Sequence, residues 1–135
     1  MYHQFIENLK KFQPYEVEAA QRIEKLNNVK VINFNNDNKY DFVTSDNLKY
    51  EVKTEPASLK TNNFFIEFLG YNKPSGISTT EADYYIISDT INYYLISVSS
   101  LKILLENARI ITTKDKLTYG YLIKTQLIKD NSILI

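Results

Sequence analysis

Apolar and polar positions alternate most strictly between residues 40 and 55, where two short runs flank Ser45-Asp46-Asn47. Alternating runs joined by a turn cluster predict a β-hairpin. In its second arm Tyr50 and Val52 point one way while Lys49, Glu51, Lys53 and Glu55 point the other, because strand side chains have period two. A three-residue corner, with Asn47 in a left-handed backbone, sets Phe42 opposite Tyr50, Asp41 opposite Glu51 and Tyr40 opposite Val52. A two-residue corner would strand Asp41 on the apolar face. The hydrophobic pattern therefore selects the first register.

Elsewhere the pattern is coarser. Tyr15, Ala19, Ile23 and Leu26 fall at helical spacing, Pro14 suits a first helical turn, and Asn27-Asn28 ends the run. The first dozen residues are expected to form a frayed helix or arm. Residues 29–34 read as a β-branched strand and 35–39 as a turn. Beyond the hairpin, 56–63 read as a polar loop and 64–68 as a strand. Ser78 and Glu81 make a capping box that predicts a short helix. Residues 85–88 and 93–98 read as hairpin-paired strands joined through 89–92. Ser99 or Ser100 is expected to cap a helix with the apolar stripe Leu101, Leu104, Leu105 and Ala108. Residues 109–113 and 119–125 read as strands around Lys114-Asp115-Lys116, and 132–135 as an edge strand or a contact with a second copy. The order implies one α/β domain over residues 1–135, a central mixed sheet flanked by helices.

Composition narrows the chemistry. At 135 residues the chain can bury a full core. It has no cysteine, and its one histidine, His3, lies near the start, so thiolate metal sites, histidine zinc sites and histidine triads are excluded. Catalysis would have to use carboxylates, lysine, hydroxyls and a metal. No apolar run is long enough to span a membrane and no signal peptide is visible, so an intracellular, cytoplasmic protein is expected. A formal net charge of zero means that any basic footprint must be local.

The chosen register brings the Asp41 and Glu51 carboxylates about 5 Å apart, with Lys53 two residues further along the same face. Adjacent carboxylates raise each other's pKa and are stabilised by a cation, and hard oxygen ligands favour Mg²⁺ or Mn²⁺. Such an ion can polarise a phosphoryl oxygen and lower the pKa of water, while Lys53 orients that water or neutralises charge on phosphate. The same spacing also fits a salt-bridged solvent face. Six tyrosines, Tyr84, Tyr85, Tyr93, Tyr94, Tyr119 and Tyr121, can stack on bases or fill a core. Glu18 has an i,i+4 partner in Arg22, and Glu55 reads as a strand-end charge.

A helix, then a three-stranded meander with Asp41 at its second strand and Glu51-Val52-Lys53 in its third, resembles the PD-(D/E)XK nuclease superfamily. Glu16, Ala19, Ile23 and Asn27 match the first-helix spacing of Holliday junction resolvase-like members. Ser75-Gly76-Ile77, Thr79-Thr80 and Ala82-Asp83-Tyr84-Tyr85 resemble the second helix and following strand of phage-type members. Tyr40 stands where the motif has proline. The resemblance implies a restriction-endonuclease-like fold with an α-β-β-β-α-β core. It implies a metal-dependent endonuclease acting on DNA, branched or phage DNA included, in a host cytoplasm if the chain is viral. Asp41 and Glu51, with the Val52 carbonyl, would hold Mg²⁺ or Mn²⁺; Lys53 would position water, and Glu16 would complete the outer shell. Glu67 becomes a further ligand or substrate contact from a neighbouring strand. Lys39, Lys60 and Lys73 become backbone contacts, and a homodimer would let two sites cut two strands. The alternative is a catalytically inactive relative that binds nucleic acid or a protein partner. A metal-free RNA-cleaving relative is disfavoured by the missing histidines.

Overall fold

A computed structural model describes residues 14–35 and 39–135. The expected N-terminal helix or arm, His3 and the middle of the 35–39 turn lie outside those residues. The described chain runs α1 (Pro14–Asn27), β1 (Val31–Phe34), β2 (Phe42–Thr44), β3 (Lys49–Thr54), α2 (Ser58–Thr61), β4 (Asn63–Gly70), β5 (Lys73–Pro74), a 3₁₀ turn (Gly76–Ser78), β6 (Tyr84–Ser88), β7 (Tyr93–Ser97), α3 (Val98–Leu105), β8 (Arg109–Thr112), β9 (Thr118–Lys124), α4 (Thr125–Asp130) and β10 (Ile133–Leu134).

These strands form an α/β fold with two sheets where one was expected. The larger has the order β1-β2-β3-β6-β7-β10 and the smaller β5-β4-β9-β8. The larger sheet is mixed: β3 pairs in parallel with β6, and its other neighbours are antiparallel. One of its faces receives α1, where Ala19, Ala20 and Ile23 pack with Phe42, Tyr50, Val52 and Ile86. The other face meets the smaller sheet and α3 and α4, burying Tyr85, Ile87 and Ile96 with Phe64, Ile66, Leu101 and Ile128. Every residue of β6 after Tyr84 is buried, as a central strand covered on both faces requires. Among the described residues no helix is long and apolar enough to cross a membrane.

Several expected elements take a different form. Tyr15 and Leu26 are exposed, and Ala20 instead joins the buried face of α1. The loop at 56–63 contains α2, which closes on Asn62 with a left-handed backbone, φ 60°. No helix follows Ser78, whose hydroxyl donates to the Phe68 carbonyl at 2.8 Å instead of capping. That tie anchors the 3₁₀ turn to β4, so the connection from β3 to β6 runs through α2 and the smaller sheet, not through the expected second helix. Ser97, not Ser99 or Ser100, caps α3 by accepting the Ser100 N–H. Helix α4 had no expected counterpart. Residues 133–134 do form the edge strand, against Leu95 and Tyr94.

Gly76 packs the 3₁₀ turn tightly against β4. It has φ +53°, and a Cβ there would stand 2.2 Å from the Glu67 carbonyl oxygen. Gly76→Ala is expected to lower stability by roughly 2–4 kcal/mol, from the positive φ and the backbone clash together. Urea denaturation checks this, and a loss below about 0.5 kcal/mol would mean that the turn repacks freely.

Candidate active site

The hairpin forms in the register the alternation selects. Phe42 pairs with Tyr50 and Val43 with Lys49, and Asn47 adopts φ 65°. The ladder stops at Phe42. The backbone bends at Asp41, whose N–H donates to the Tyr50 carbonyl at 2.8 Å while its Oδ2 accepts the Val52 N–H at 2.6 Å. Tyr40 consequently leaves the Val52 side and packs in the interface between the sheets, with the Lys49 ammonium 5.0 Å from its ring centroid. The Asp41 carboxylate thus closes the open end of the hairpin, beside β3. Because the N–H and C=O of one strand residue point the same way, the Val52 carbonyl faces that side too.

Asp41 and Glu51 bring their carboxyl groups within hydrogen-bonding reach of each other. Glu51 is only 7 % exposed, so the salt-bridged solvent face does not form. Burial first, then the charge of Asp41, pushes the Glu51 pKa up to about 8. The Asp41 pKa is also raised, by burial, against the opposing effects of the Val52 N–H and the Lys53 ammonium. Glu16 reaches the same place from the first turn of α1: burial and then Asp41 push its pKa to about 7, with Lys53 opposing. Asp41, Glu51, Lys53 and Glu16 therefore act on one another electrostatically.

The Oε2 of Glu51 is buried without a hydrogen-bond partner, and so is the Tyr85 hydroxyl. These residues are direct neighbours in the parallel β3–β6 register. Burial and then Glu51 raise the Tyr85 pKa, with Asp41 and Glu67 adding to the effect, so the phenol stays protonated beside the acids. An unpaired buried acceptor costs about 1–3 kcal/mol, and a cation at Glu51 would remove that cost and the carboxylate repulsion together. Among the described residues no group of three or more His, Cys, Asp or Glu side chains is placed to hold a metal. Two carboxylates and one backbone carbonyl nevertheless match the hard, partly hydrated coordination that Mg²⁺ takes. The donor set fits the expected ion.

The remaining candidates divide. Glu67 belongs to the smaller sheet, not to a strand beside β3, yet its charge reaches the Tyr85 hydroxyl. Lys39 lies 3.7 Å from Glu81 in an ion pair. Lys60 and Lys73 are exposed on α2 and β5. Glu55 is a brace between the sheets, its Oε2 accepting the Phe65 N–H at 3.2 Å. Tyr85, Tyr93 and Tyr94 are buried and cannot stack on bases, Tyr84 stacks on Tyr50, and Tyr121 packs on Phe68. Arg22 pairs with Glu18 at 3.1 Å as the helical spacing predicts. From the sequence Tyr85 reads only as a stacking or core residue; its in-register place beside Glu51 needs the parallel β3–β6 pairing, which no local pattern encodes. No family model and no curated protein matches this chain.

Proposed function

We propose that this chain has a restriction-endonuclease-like fold and is a nuclease of the PD-(D/E)XK type, hydrolysing DNA phosphodiester bonds with a divalent cation. The observation that supports it most is the convergence of Asp41, Glu51, Lys53 and Glu16 around a buried, unpartnered Glu51 oxygen. Asp41 and Glu51, with the Val52 carbonyl, would hold Mg²⁺ or Mn²⁺. The ion, when bound, supplies polarisation of a phosphoryl oxygen and a lowered pKa for water. Asp41 is held ready by the Val52 N–H, and Glu51 by its buried place in β3. The Lys53 ammonium offsets negative charge that develops on the phosphate oxygens. Glu16, whose carboxylate acts on Asp41 and Glu51 from the first turn of α1, would complete the outer shell of the site. An intracellular location, a dimer that cuts both strands, and branched or phage DNA as substrate belong to the same reading through the family resemblance.

The test is incubation with supercoiled plasmid, a four-way junction and single strands, in Mg²⁺, Mn²⁺ or EDTA. The expected result is nicking in either metal and none in EDTA. Cleavage that persists in EDTA overturns the mechanism, and binding without cleavage in any metal selects the inactive, binding-only relative.

A further inference from the structure

The acids that make the site chemically apt also repel a polyanion, so a nuclease with zero net charge needs a separate place to hold phosphate. Charge is unevenly spread along this chain. Residues 102–131 carry six bases and three acids, against ten and thirteen in the first 101 residues. The excess lies largely on the smaller sheet and α4.

There a groove of about 320 Å³ opens where the start of β4, the end of β9 and α4 meet. Its walls include Asn62, Asn63, Lys124, Thr125, Gln126 and Lys129, with no carboxylate among its lining residues. Asn63 and Lys124 are direct cross-strand partners, and Thr125 N–H donates to the Asn62 carbonyl at 2.9 Å, which ties the two walls together. Neither Lys124 nor Lys129 makes an ion pair with a described residue. The nearby acid, Asp130, is engaged by the Gln126 amide at 2.9 Å. The Thr125 hydroxyl is buried without a hydrogen-bond partner. Two unpaired ammonium groups among neutral donors make a chemical match for phosphodiester oxygens.

A short path through the structure links the groove to the acids. Glu51, Lys53 and Glu55 share one face of β3 and its extension, so Glu55 lies about 13 Å along from Glu51. Its carboxylate accepts the Phe65 N–H, two residues from Asn63, which adds about 7 Å. These rises and the reach of the Glu55 side chain together bound the separation, which is within about one turn of duplex.

The geometry points to the Lys124–Lys129 groove as an anchor for the DNA backbone, gripping phosphates within about one helical turn of the Asp41–Glu51 site. This rests on the nuclease reading and extends it to how substrate is held. A labelled duplex of ~20 base pairs, followed by fluorescence anisotropy across a salt series in EDTA, tests it. The double variant Lys124→Ala, Lys129→Ala is expected to bind about ten-fold more weakly near 0.1 M salt and to flatten the salt dependence by about two phosphates. Its Mg²⁺-induced rise in Tm should be unchanged. The control Lys114→Ala, Lys116→Ala removes equal charge from the β8–β9 turn and should lose much less. Equal losses in the two double variants, an unchanged salt slope, or wild-type protein that does not bind duplex would each overturn the anchor. Failure of the nuclease reading looks different: binding that depends on Lys124 and Lys129, with no cleavage in Mg²⁺ or Mn²⁺.

Discussion

Glu51→Gln is expected to lower the single-turnover cleavage rate roughly 10³-fold while leaving the fold intact or more stable. Glutamine keeps the volume and burial of Glu51, so β3 and its parallel contact with β6 need not move. It removes the charge that pairs with Asp41 to attract a cation, and the orphaned Oε2 becomes part of a neutral amide. A buried carboxyl whose pKa is already pushed to about 8 is held at a cost in the metal-free protein, and the substitution relieves it. Rate and stability therefore move in opposite directions, which separates a catalytic role from simple unfolding. Lys53→Ala should cost a similar factor in rate but leave Mg²⁺ affinity nearly unchanged, because the ammonium opposes carboxylate protonation without being a ligand. Measured single-turnover rates beside Mg²⁺ titrations of Tm decide this. A Glu51→Gln protein that cuts at the wild-type rate would remove the basis for the proposed mechanism.

The hairpin that carries the candidate site was more legible in the sequence than the architecture around it. Period-two alternation around Tyr50 and Val52, with Asn47 able to turn left-handed, was enough to specify the hairpin register and hence the meeting of Asp41 with Glu51. These are local signals, separated by few residues, and local signals survive folding. The approach of Glu16 to Asp41 depends on how α1 docks, and the stripe Ala19 and Ile23 carries that information even though Tyr15 and Leu26 do not follow it. What alternation could not reveal is which sheet a strand joins. Phe64 to Phe68 reads as a strand in any sheet, and its partners in β9 lie more than fifty residues away. The missing helix after Ser78 has the same origin. Ser-x-x-Glu is a valid cap locally, but the Phe68 carbonyl competes for the serine hydroxyl and Gly76 packs against Glu67, both consequences of tertiary structure. The exposed-face reading of Glu51 differs from the structure likewise: its register partner Tyr85 lies on the face of the larger sheet that segments distant in sequence cover.

The metal-free protein should lose stability as pH rises from about 5 to about 8.5, and Mg²⁺ should restore it. Glu51 and Glu16 have folded-state pKa values near 8 and 7 against an ordinary value of 4.5. Between those limits the folded protein binds more protons than the unfolded chain, so the slope of unfolding free energy with pH is negative. Their contribution is fully present below pH 4.5 and is lost as pH rises through 7 and then 8. For the buried Glu51 the loss is roughly 3–5 kcal/mol, on the order of 10 °C in Tm for a domain of this size. Among the described residues the groups with the opposite sign, Asp89 and Asp115, do not intrude. Asp89, whose pKa is lowered by the N–H groups of Asn92 and Ile91, gives stability that is lost only as pH falls through its folded pKa, below the ordinary carboxylate range. A cation binds the doubly ionised pair, so the Tm gain from Mg²⁺ should be small at pH 5.5 and largest near pH 8.5. Glu51→Gln should flatten both the pH slope and the Mg²⁺ gain. Calorimetric scans of the two proteins from pH 5.5 to 8.5, with EDTA or with about 5 mM Mg²⁺, give the comparison. A wild-type Tm that rises across this range in EDTA would mean that Asp41 and Glu51 do not share a buried site, and the proposed ion would then have nothing to neutralise.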